Sequence, residues 1–135
     1  MTNQIKRAIK PIKAIKRTLP SGKHKVKIQD VTDVYKFTTS NNKELSAVDI
    51  TFECDFFGRP LVTTEKLLVF NGLETPLQKL IWITELEEDE ENHIDLNDLV
   101  GKVVYMKVEN RNGYKNITDF ETIFHSPELP EMLRD

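Results

Sequence analysis

A chain of 135 residues, 39% hydrophobic and 30% charged, is long enough for one domain with its own core and short for two. Its single cysteine, Cys54, excludes a disulfide within the chain and a zinc site built from thiolates. The net charge of −3 hides a division: residues 1–29 hold nine of the 19 Lys and Arg and none of the 22 Asp and Glu. A cationic front therefore joins an anionic body. No apolar run nears the roughly 20 residues of a membrane span. Lysine interrupts the start every three or four residues, unlike the apolar stretch of a signal peptide. The reading is cytoplasmic, with no membrane partner, and the sequon Asn116-Ile117-Thr118 has meaning only in a secreted protein.

In chain order, residues 1–19 form a basic N-terminal arm. Ile9-Lys10-Pro11, Ile12-Lys13-Ala14 and Ile15-Lys16-Arg17 repeat as triplets. A helix would place Ile5, Ile9, Ile12, Ile15 and Leu19 on one side and Lys6, Lys10, Lys13 and Arg17 on another. Pro11 opposes that helix, at a cost of about 3 kcal/mol, and polyproline II lines up the same isoleucines. The arm is expected to be extended alone and ordered against a partner. Pro20-Ser21-Gly22 ends it.

A first strand follows, alternating Lys25, Lys27 and Gln29 with Val26 and Ile28. "KFTTSNNKE" (36–44) reads as a polar loop. From Ala47 to Asp55, Val48, Ile50, Phe52 and Cys54 point inward while Asp49, Thr51, Glu53 and Asp55 point outward. Phe57-Gly58-Arg59-Pro60 turns the chain into a third strand, Leu61–Phe70. Thr75 and Pro76 are an N-cap and first residue for a helix with Leu77, Leu80 and Ile81 buried and Trp82 packed beside them. "ELEEDEEN" (85–92) is a solvated acidic loop, and "DLNDLVGK" (95–102) a short turn. The fourth strand runs Val103–Glu109, Asn112-Gly113 marks a type I′ hairpin, and the fifth strand runs Tyr114–Phe124. Residues 125–135 read as a tail.

Three strands, a helix and two strands is the order of the OB-fold. The expected fold is mainly β: a five-stranded OB-fold barrel over residues 20–124, with one helix between strands 3 and 4. "LPSGKHKVKIQDV", "DLNDLVGKVVYMKVEN" and "NGYKNITDF", in that order, give residues 19–121 a further likeness. The chain resembles the OB-fold single-stranded-DNA-binding proteins of phages and conjugative plasmids of Gram-positive bacteria. The resemblance implies a non-catalytic, sequence-tolerant protein that coats single-stranded DNA in replication, recombination or conjugative transfer. Unlike ordinary bacterial single-strand binders, this chain has an extra cationic arm at the N-terminus, and "PELPEMLRD" lacks their acidic Pro-Phe tip.

Binding unpaired nucleotides takes cations for phosphates and flat side chains for bases. Lys25 and Lys27 are expected on the outer surface beside Tyr105 and Lys107. Arg111, Tyr114 and Lys115 surround the last hairpin, and Tyr35, Lys36 and Phe37 open the loop between strands one and two. Phe52, Phe70 and Phe120 read as core. Asp49, Glu53 and Asp55 would repel phosphates, which shifts the footprint towards strands one, four and the hairpin. In the arm, Lys10, Lys13, Lys16 and Arg17 are phosphate contacts. Ile9, Ile12 and Ile15 suit self-association along DNA through a neighbouring subunit, whose acidic loop is a complementary surface. Duplex DNA is a further expected partner. No cofactor or metal is expected: His24, His93 and His125 lack ligand spacing, and no phosphate loop or nucleophile motif occurs. The competing reading is a protein-interaction module that engages a replication or recombination protein through its acidic barrel and arm.

Overall fold

The computed structural model describes residues 17–69 and 74–123. Ile9, Lys10, Ile12, Lys13, Ile15, Lys16, Phe70 and the tail at 125–135 lie outside the described residues. The elements are β1 (Gly22–Val31), β2 (Tyr35–Thr38), β3 (Glu44–Phe56), β4 (Arg59–Val69), α1 (Pro76–Ile83), β5 (Val103–Arg111) and β6 (Tyr114–Thr122). A 3₁₀ turn at Leu96–Leu99 delivers the chain into β5 and buries Leu99.

Period-two alternation sets the inner face of the sheet. Val26 and Ile28 of β1, Val48, Ile50, Phe52 and Cys54 of β3, and Val104, Met106 and Val108 of β5 are all buried. Leu77 and Leu80 of α1 join them, and the rings of Phe52 and Phe120 stack with centroids 5.8 Å apart. Burial raises the Cys54 thiol above its ordinary range, against a lowering by Arg17. β1 is shared: Gly22–Lys27 pairs with β5, and Lys27–Val31 pairs with β3 across a register shift between Ile28 and Asp30.

The segment expected as a loop after the first strand is partly a strand. β2 pairs Tyr35 with Ala47 and Phe37 with Leu45 on the edge of β3 that β1 has just left. Thr32 bridges the interruption, its N–H donating to Asp49 O and its Oγ1 accepting from Asp49 N–H. The polar turn shrinks to Thr39–Lys43, closed by Thr39 Oγ1 accepting from Asn41 and Lys43 N–H groups.

The sheet thus has six antiparallel strands and is not closed, where five in a barrel were expected. Its two flanks, β4 and β6, share no ladder among the described residues. Side chains span that seam instead. Lys115 of β6 pairs with Glu65 of β4 and donates to Thr63 Oγ1 at 2.9 Å. Arg17, Thr18 and Leu19 line the same cleft, and Leu19, counted with the arm in the sequence, is buried in the core.

Thr75 caps α1 by accepting from the Gln78 N–H at 3.2 Å, with Pro76 first in the helix. Trp82, expected against the sheet, is 73% exposed. At about 100° per residue it falls on the side opposite Leu80, so the helix turns it to solvent.

Candidate nucleic-acid interface

Because Val26 and Ile28 are claimed by the core, the pleat sends Lys23, Lys25 and Lys27 of β1 to the outer face. Register then assigns their neighbours. Lys25 lies opposite Tyr105, Lys23 opposite Lys107, and Lys27 between Val103 of β5 and Glu53 of β3. Over this face runs an open groove of about 760 Å³. One wall carries Lys23, His24, Lys25, Lys27 and Val103, the other Glu53, Cys54, Asp55, Gly58 and Pro60. Lys25 and Lys27 make no ion pair or hydrogen bond with other described residues. Lys23 Nζ stands 4.9 Å from the Tyr105 ring centroid.

Lys107 is placed on the same face but is occupied. Its Nζ donates to Glu121 at 2.7 Å, and Lys23 donates to the same carboxylate at 3.1 Å. Those two hydrogen bonds, Lys107's first, hold the Glu121 carboxyl down at about 2, and the pairing raises the Lys107 ammonium.

Further along the face, Arg111 pairs with Glu109 at 2.7 Å and Tyr114 stands 74% exposed beside it in register. Both turn residues between them, Asn112 and Gly113, have positive φ, as a type I′ hairpin requires. Lys115 faces the other way, into the seam with β4, and is thereby separated from the lysines of β1.

Tyr35 and Phe37 form a second aromatic pair beyond β3, with centroids 6.3 Å apart. The Tyr35 hydroxyl donates to Asp49 at 2.6 Å, and that bond raises the phenol above its ordinary value. Lys66 lies over the Phe37 ring at 4.1 Å, while Lys36 is exposed without a carboxylate partner among the described residues. Of the outward carboxylates of β3, Asp49 is engaged by Tyr35 and Glu53 by Gln29 at 2.6 Å. A hydrogen bond does not cancel a charge, so this strand remains a poor track for phosphate.

One cluster escapes sequence reading. At the β3–β4 turn Phe57 is 88% exposed, its ring 4.4 Å from that of Phe56. Phe56 in turn meets His24 edge-on at 6.2 Å and lies under the Arg17 guanidinium at 5.9 Å. Arg17 donates to the carbonyls of Phe56 (2.8 Å) and Arg59 (3.2 Å), so it secures the turn. The signal available in the sequence was two adjacent phenylalanines entering Gly58, where turn chemistry favours polar residues.

Among the described residues no group of three or more His, Cys, Asp and Glu is placed to hold a metal, and no helix is long and apolar enough to cross a membrane. No family model matches this chain, no curated protein matches it, and no solved structure does.

Proposed function

We propose that this protein is a non-catalytic, sequence-tolerant single-stranded-DNA-binding protein of a mobile genetic element, acting in the cytoplasm on an OB-type barrel. The observation that carries the reading is the pair Lys25 and Lys27, free of carboxylate partners among the described residues, side by side in an open groove with Tyr105 across the ladder. Cations without internal partners are available to phosphates, and an adjacent ring offers a surface to a base. The barrel reading is supported by β1 pairing with both β3 and β5, and by the helix lying between β4 and β5. The mobile-element setting rests on the resemblance of residues 19–121. The basic arm adds phosphate or subunit contacts, and duplex DNA competes for the same cations.

Fluorescence anisotropy with labelled oligo-dT tests the reading. Binding should weaken steeply with salt, with a slope of about −0.7 per phosphate neutralised. Replacing Lys25 and Lys27 together by alanine should lower that slope by about 1.4. A second reading, a protein-interaction module, is favoured by the exposed Trp82 beside the acidic loop at 85–91. No binding to oligo-dT even at low salt would select it.

A further inference from the structure

The β3–β4 turn does not require the residue it carries at position 57. Phe57 and Gly58 have φ of 58° and 75°, the pair of positive values that Asn112 and Gly113 supply in the β5–β6 hairpin. Asparagine tolerates this conformation, whereas a bulky side chain there is strained. Burial does not repay the strain, because the ring is 88% exposed. Backbone strain of this kind gathers at functional sites. The ring leans on Phe56, which meets His24 of the groove wall, and the next residues, Gly58 and Pro60, line the groove itself.

The two walls of the groove differ in charge. Lys25 and Lys27 stand on the β1 side, Glu53 and Asp55 on the β3 side. A phosphate backbone is attracted to the first and repelled by the second, which turns the attached bases towards the β3–β4 turn. We propose that Phe57 is a stacking platform for an unpaired nucleobase at the turn end of this groove, while the neighbouring phosphates meet Lys25 and Lys27. This rests on the single-strand reading above, which places the ligand in the groove but assigns nothing to the turn.

The test uses the full chain, labelled oligo-dT, and the variants Phe57→Asn and Phe57→Trp. Phe57→Asn should melt at the parental temperature or higher, because asparagine suits the turn. It should bind oligo-dT about five-fold or more weakly, with the salt slope unchanged because no cation is lost. Phe57→Trp should keep parental affinity, and its emission should be quenched by oligo-dT beyond any change in the parent's Trp82. A folded Phe57→Asn that binds like the parent overturns the proposal and leaves the single-strand reading standing. A loss of affinity matched by a lower melting temperature assigns Phe57 to packing and overturns it too. If Phe57→Asn does not fold, absence of the extra quench in Phe57→Trp overturns it. A parent that fails to bind oligo-dT at low salt removes both readings together.

Discussion

Glu121 accepts from Lys107 and Lys23 at once, and in doing so withholds two cations from the face on which Lys25 and Lys27 stand. Glu121→Gln should therefore strengthen oligo-dT binding at low salt and steepen its salt slope, as anisotropy would show. Unchanged affinity would mean that the ligand passes this corner by. The same carboxyl carries a pH signature. Its folded-state value of about 2 lies below the ordinary 4.5, so the stability it contributes is present above about pH 4.5. That contribution is lost as pH falls towards 2. The melting-temperature difference between parent and Glu121→Gln should shrink to nothing over that window.

At the scale of elements, α1 depends on its first turn. Thr75→Ala removes the acceptor for the Gln78 N–H and should cost about 1 kcal/mol in urea unfolding. The cap, the alternation of β3 and the Asn112-Gly113 hairpin were legible because each is written in neighbouring residues. β2 was not, since two aromatics around Lys36 make too short a pattern. Tyr35 and Phe37 become a strand only by pairing with Leu45–Ala47 of β3. The site divides the same way. Alternation alone put Lys25, Lys27 and Tyr105 outside. The engagement of Lys107 by Glu121 and of Lys115 by Glu65 depends on strand register and on how the sheet's flanks approach each other. The β5–β6 pairing also shifts register between Lys107 and Val108 of β5, which no local pattern announces.

At the scale of the whole molecule, the seam between β4 and β6 is held, among the described residues, by side chains rather than a ladder, and Leu19 fills part of it from within. Leu19→Ala should destabilise the fold by about 2–5 kcal/mol in urea. Removing residues 1–16 spares Leu19 and Arg17, so the unfolding midpoint should hold while oligo-dT affinity drops and the salt slope becomes shallower. An unchanged slope would show that those cations never reach the DNA. Arg17 and Leu19 also give the preceding sixteen residues a fixed root, fastened by Arg17 to the carbonyls of Phe56 and Arg59 at the end of the groove. Sixteen residues span at most about 55 Å even when fully extended. Under the single-strand reading proposed above, a strand leaving the groove at that end should emerge beside the root of a segment that carries five of the chain's 19 Lys and Arg. A ligand longer than the groove should then meet those five charges after the groove itself.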